Sequence, residues 1–231
     1  MEKQNIPTTQ NGFIGKIKSG YSFLLALRAF IRVCQDVHRL DEIIEVSNKL
    51  VASNPQLVVR LVNHIRDLGG YSAAALASKP RIGRLSLDDL KKCPQGSLGH
   101  GLATYLIENK LNPEDLPHLT SNTPLEFVRA HFFETHDVWH VVTGFSTSVD
   151  GEMGLQAFGV AQYPIPLNCL NLAAGIINMA LFSPENRVTR MDQIVRGWKM
   201  GRQAKPFFGI DWKKMWDMPV EEVRKQFDVV V

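Results

Sequence analysis

Residues 134–153 read Glu-Thr-His-Asp-Val-Trp-His-Val-Val-Thr-Gly-Phe-Ser-Thr-Ser-Val-Asp-Gly-Glu-Met. The segment holds two of the chain's seven histidines, His136 and His140, four positions apart. In an α-helix, residues i and i+4 share a face, with only about 40° of turn between them. Asp137 borders that face, three residues before His140. Two imidazoles and a carboxylate can therefore point at one spot. Gly144 marks the end of this helix, because glycine enters the left-handed conformation without steric cost. Phe-Ser-Thr-Ser follows, with Thr147 or Ser148 as the N-cap of a second helix. A new apolar run of Met153, Leu155, Ala157, Phe158, Val160 and Ala161 then begins. The whole reads as a helical hairpin. Glu152 falls in the first turn of the returning helix, about as far past the turn as His140 lies before it, and so faces back across.

Imidazole nitrogen with carboxylate oxygen suits Zn²⁺, with Mn²⁺, Fe²⁺ or Mg²⁺ as the alternatives. No cysteine lies nearby, which argues against a closed structural zinc site. A mixed nitrogen and oxygen set more often leaves a coordination position for water or substrate. A histidine pair at this spacing is common by chance, and a solvated polar helix face would look the same. Asp137 and Glu152 make the pattern specific, so the expected ligands are His136, Asp137, His140 and Glu152. Zinc proteases with HExxH place a glutamate general base between the two histidines. Here the residue after the first histidine is Asp137, one methylene shorter and poorly placed to reach a metal-bound water. The HD-type phosphohydrolases also begin with His-Asp, but require further ligands that this sequence does not offer.

HDxxH followed by eleven residues and a glutamate resembles the signature of the coenzyme Q (ubiquinone) biosynthesis protein four family. Pro94-Gln-Gly-Ser-Leu-Gly99 is similar to that family's approach to its middle helix. Gly201-Arg-Gln-Ala-Lys-Pro-Phe-Phe-Gly-Ile-Asp-Trp212, with Pro-Val-Glu-Glu-Val-Arg224 behind it, is similar to its C-terminal end. The resemblance is clear from about residue 80 to 231 and looser from 20 to 80. It implies that His136, Asp137, His140 and Glu152 are metal ligands. It also implies a role on polyprenylated 4-hydroxybenzoate intermediates, in the loss of the ring C1 carboxylate and its replacement by hydroxyl. The implied partners are a polyprenylated aromatic or isoprenoid lipid and other quinone-biosynthesis enzymes; peripheral membrane contact and a homodimer are further candidates.

Composition sets the outer bounds. The 231 residues are 45% hydrophobic and 21% charged, with a net charge of +3, which is ordinary for a soluble globular domain. Such a chain can bury a substantial core, and its charge is too mild to argue for nucleic acid. Cys34, Cys93 and Cys169 are odd in number and scattered, and read as reduced core thiols. Residues 1–19 read as a flexible polar tail, and 20–231 as a single all-α domain. The tail lacks the apolar run of a secretory signal and the Arg-rich amphipathic pattern of a transit peptide. With the resemblance, that points to a cytoplasmic bacterial member, peripheral on the inner face of a membrane.

Along the chain, residues 21–37 form an apolar helix interrupted by Arg28 and Arg32, too short and charged to span a bilayer. Helices follow over 40–52 and 55–68, ended by Gly69-Gly70. A connector over 79–96 carries one short helix capped by Ser86, and Leu98–Leu111 is helical again. Asn112–Pro124 is a loop that leads into a long helix over 124–143. Residues 167–182 are apolar almost all round, as in a central core helix. The alternative to that favoured reading has the small residues Ala173, Ala174, Gly175 and Ala180 line a slot for an isoprenoid tail. Residues 187–203 carry a basic face, on which Arg196 and Arg202, with Lys205 beyond, are candidates for an anionic head group. The aromatic segment 206–218 could lie at a bilayer interface or dock as a C-terminal element.

Three functions fit. The first is a metal-dependent prenylquinone biosynthesis enzyme acting in C1 decarboxylation and hydroxylation, a lyase. The second is a non-catalytic prenyl-lipid-binding scaffold that organises a quinone-biosynthesis complex. The third is a zinc hydrolase, for which Glu134 is the nearby candidate base.

Overall fold

The computed structural model describes residues 24–25, 27–37, 39–54, 56–115 and 119–231. The expected tail over 1–19 lies outside them. Among the described residues there is no strand, only an isolated bridge between Ser97 and Pro219, so the all-α expectation holds.

The helices are α1 (27–35), α2 (Leu40–Ser53), α3 (Gln56–Asp67), α4 (Gly70–Ser78), α5 (Leu87–Lys92) and α6 (Leu98–Glu108). They continue as α7 (Pro124–Thr143), α8 (Val149–Gln162), α9 (Pro166–Leu181), α10 (Arg187–Gln203) and α11 (Val220–Gln226). The sequence reading anticipates most of these but not α4. It uses Gly69-Gly70 as a stop, whereas Gly70 is also the first residue of the next helix. Ser86 caps α5 as expected, accepting from the Asp89 amide at 3.3 Å.

α7 is the axis of the core, and its ends are defined by local chemistry. A reciprocal capping box of Thr123 and Glu126, with proline next to the cap, opens it. Gly144 closes it at φ +69°, ψ +19°. Its buried face carries Phe127, Val128, Val138, Trp139 and Val142. These pack against Leu98, Leu102 and Leu106 of α6, Phe158 of α8, and Phe207, Phe208 and Trp212 of the C-terminal segment. The last carbonyls of α7 meet two guanidinium groups. Arg224 donates to Val142 O at 2.8 Å and to Val141 O at 3.1 Å, and Arg196 donates to Thr143 O at 3.0 Å. Cations there complement the negative end of the helix dipole.

The sequence reading sets the two arms of the hairpin against each other. In the structure α8 lies mainly along α10, and meets α7 through fewer contacts, among them Trp139 against Phe158. Glycines allow that approach. A Cβ on Gly197 would sit 1.9 Å from Gly154 O, and one on Gly201 2.5 Å from Phe158 O, so the two backbones are in direct contact. α9 precedes α10 through a sharp bend of 115°. No single helix among the described residues is long and apolar enough to cross a membrane, although that bent pair passes by length and composition.

One expectation for the apolar segments is corrected, and one open alternative is decided. α9 is not a central core helix. Only Ala174, Gly175 and Asn178 are buried on it, while Ile176, Ile177 and Leu181 are exposed. For the aromatic segment, burial favours the docked alternative, with Lys213, Lys214 and Asp217 left exposed. Phe207, Phe208 and Trp212 are fully buried. Their backbone is pinned by Gln162, by the Tyr163 hydroxyl, which accepts from the Phe208 amide at 2.7 Å, and by His131. Of the cysteines, Cys34 is buried but Cys169 is exposed, so the core-thiol reading fails for the latter.

Candidate metal centre and its cavity

His136 and His140 sit on α7, one turn apart, and Glu152 lies in the first turn of α8. Ser148 is the cap that starts α8 there, accepting from the Gly151 amide at 3.2 Å. The five-residue turn between the helices is tight, and a Cβ on Gly151 would stand 2.2 Å from Ser146 O. The turn brings the three side chains together. His140 Nε2 is 3.2 Å from His136 Nε2 and 3.1 Å from Glu152 Oε1, and His136 Nε2 is 3.8 Å from Glu152 Oε2. Donors about 2.0–2.1 Å from a tetrahedral ion lie roughly 3.3 Å from one another, so the spacing suits a shared divalent ion.

The protonation pattern also fits. His140 Nδ1 is 2.9 Å from the Phe145 carbonyl. A carbonyl can only accept, so Nδ1 carries the proton and Nε2 presents its lone pair. That lone pair faces another imidazole nitrogen and a carboxylate oxygen. A divalent cation held between them would satisfy all three donors. Burial alone would push the Glu152 carboxyl up, but the imidazoles of His136 and His140 beside it outweigh that and hold the carboxyl far below the usual range. Burial likewise disfavours the charged His136 ring, yet Glu152 and the charge of Asp137 hold its pKa above the ordinary value. His136, His140 and Glu152 thus form a candidate metal-binding triad.

Asp137 does not join the triad. It is one residue further round α7 and lines the adjoining cavity instead. That cavity measures about 340 Å³. Besides His136 and Glu152 it is walled by Tyr105, Thr147 and Gln156, and by Val33, Val37, Met153, Ala174 and Gly175. Two of the four small residues expected to accommodate a lipid tail, Ala174 and Gly175, are therefore in the wall, and Ala173 and Ala180 face outward.

The basic candidates are elsewhere. Arg196 stacks over the Phe145 ring, 4.3 Å from its centroid, and caps α7. Arg202 is exposed. Lys205 donates to Gln226 O at 2.7 Å and pairs with Asp228. None of the three lines the cavity. Glu134 forms a two-pronged ion pair with Arg81, and its Oε2 also accepts from the Gly83 amide at 3.1 Å. It is spent on structure, which removes the base that a zinc hydrolase would need.

Sequence reasoning missed Tyr105. Its ring stacks on His140, with centroids 5.2 Å apart and planes at 22°. Burial, with the charges of Asp137 and Glu152, pushes its phenol well above the ordinary value. No local spacing ties a tyrosine on α6 to a histidine on α7, so the sequence carries no signal for it.

Known proteins share this chain's features. A catalogued ubiquinone biosynthesis protein COQ4 homolog, mitochondrial, from Danio rerio is 23% identical over 212 residues, covering 89% of this chain and 75% of the relative. The Candida tropicalis protein named ubiquinone biosynthesis protein COQ4, mitochondrial, is 27% identical over 164 residues, covering 67% of this chain but 49% of its own. A crystal structure of a protein assigned to ubiquinone biosynthesis in Nostoc punctiforme superposes with a TM-score of 0.75 at 28% identity. The match covers 88% of this chain and 96% of that one. The mitochondrial names of the relatives overturn the expectation of a cytoplasmic bacterial member. That expectation rested on the composition of residues 1–19, and leader-type patterns are separate from the folded region they accompany. The family model described as Coenzyme Q (ubiquinone) biosynthesis protein Coq4 matches residues 19–231, and the chain belongs to that family.

Proposed function

We propose that the chain acts in ubiquinone biosynthesis as a metal-dependent enzyme on a polyprenylated hydroxybenzoate, replacing the ring C1 carboxylate by hydroxyl. One observation carries this reading. One cavity is lined both by His136 and Glu152 of the triad and by the apolar Val33, Val37, Ala174 and Gly175. A polar ring can sit at one end and the start of an isoprenoid chain at the other. In the reaction the bond from C1 to the carboxylate breaks, CO₂ leaves, and a C–O bond forms to an oxygen supplied by water. The two electrons released pass to an oxidant, with O₂ the candidate, which leaves as H₂O₂. A bound divalent ion, with Zn²⁺ favoured by the donor set, would hold the ring's anionic oxygen and stabilise charge developing in the transition state. His140 and Glu152 fix that position, and the Phe145 carbonyl fixes His140. Asp137 is retained in the proposal as a group bordering the metal.

Incubating the metal-loaded protein with a geranylated hydroxybenzoate under O₂ is expected to release CO₂ and yield the hydroxylated ring. Absence of CO₂ with every divalent metal tried, with and without O₂, sinks the enzyme reading. A second reading is a prenyl-lipid-binding scaffold. It is favoured by an exposed stripe on α10, where Val188, Met191, Val195 and Trp198 lie on one outward face. It predicts binding of the same compound without turnover.

A further inference from the structure

No lysine or arginine lines the cavity among the described residues. An oxygen substituent on a bound ring must therefore be met by the triad and by neutral donors. Thr147 is already engaged, since its hydroxyl donates to Asn109 Oδ1 at 2.6 Å. Tyr105 is different. Its ring lies flat against His140, which fixes the side chain beside the triad. Its hydroxyl makes no hydrogen bond to the described protein and is not sealed in the core. Tyr105 is itself one of the residues that line the cavity.

We propose that the Tyr105 hydroxyl donates a hydrogen bond to the oxygen substituent of an aromatic head group held at the triad, so that the site selects oxygenated rings over bare isoprenoid chains. This rests on the aromatic-substrate reading above. A flat phenol stacked on a ligand imidazole is held in place by packing, so little side-chain freedom is lost when it binds. A hydrogen bond to a charged oxygen typically contributes about 1.5 kcal/mol or more, roughly tenfold in affinity.

The test uses two probes, a geranylated hydroxybenzoate and geranylbenzene, which lacks the oxygens. Both are titrated into the wild type and a Tyr105→Phe variant, with bound metal measured in each. The wild type is expected to prefer the oxygenated probe. The phenylalanine variant is expected to keep its metal and its affinity for geranylbenzene, and to bind the oxygenated probe roughly tenfold more weakly. Equal preference in both proteins overturns the role of the hydroxyl and leaves the aromatic reading standing. No preference in the wild type overturns both. Loss of metal from Tyr105→Phe to the level of His140→Ala would assign the residue to packing and overturn the proposal.

Discussion

The α7–α8 side of the cavity grows out of the main core, whereas the α1–α9 side rests on a satellite cluster of Val33, Cys34 and Ala174. On the first side, Val138, Trp139 and Phe158 anchor the helices that carry the triad, and α8 is locked to α10 by backbone contact at Gly197 and Gly201. On the second, α1 is tied to α9 mainly by Asn178, whose amide donates to Cys34 O at 2.9 Å and to Gln35 O at 3.3 Å. The same asparagine accepts from the buried Arg190, which reaches Asp150 on α8. The division has a physical logic. Metal donors need their geometry held to fractions of an ångström, so they sit on the best-packed elements. A wall that must admit a long apolar chain is better drawn from elements that open locally at low cost.

The largest effect should come from the first side. Gly197→Ala places a methyl group against Gly154 O with only backbone to yield. We expect a loss of about 3 kcal/mol or more, because overpacking against backbone cannot relax through a rotamer. Urea unfolding measures it. A stability within 0.5 kcal/mol of wild type would mean that α8 and α10 are not in contact as described.

A pH effect should come from the same core. His131 is buried, with Nδ1 facing Pro80 O at 3.1 Å and Nε2 accepting from the Gly209 amide at 3.0 Å. Burial drives its pKa down to about 4, from an ordinary 6.5. The unfolded chain therefore binds a proton between those values and the folded chain does not. Stability from this group is full above about 6.5 and falls as pH drops towards 4. The total is on the order of 3 kcal/mol. Unfolding in chelator at about pH 7 and about pH 4.5 should show a steeper loss in wild type than in His131→Gln. Equal slopes would contradict it.

The smallest effect belongs to the second side. Asn178→Ala should cost about 2 kcal/mol locally, since it unpairs buried groups. Amide exchange over residues 27–35 should quicken while α7 stays protected. Faster exchange throughout α7 would show that the two sides form one cooperative unit after all.

The sequence made the triad legible because its determinants are local. The spacing of His136 and His140, the stop at Gly144 and the cap at Ser148 need no tertiary knowledge. Tertiary choices were hidden. The apolarity of α9 reveals that it binds something but not which face, and the structure leaves Ile176, Ile177 and Leu181 outward. The basic residues of α10 read as a ligand site because their charge was visible and their partners were not. Arg196 turned out to serve the α7 terminus. Tyr105 and Asn178 act across helices far apart in sequence, which no spacing rule reaches.

The most direct test of the account is elemental analysis of the purified wild type beside His140→Ala and Glu152→Ala, with circular dichroism to confirm helicity. The account predicts about one divalent ion per chain in the wild type, and its loss from both variants with helicity retained. Metal held undiminished by both variants would show that the triad is not where the ion binds.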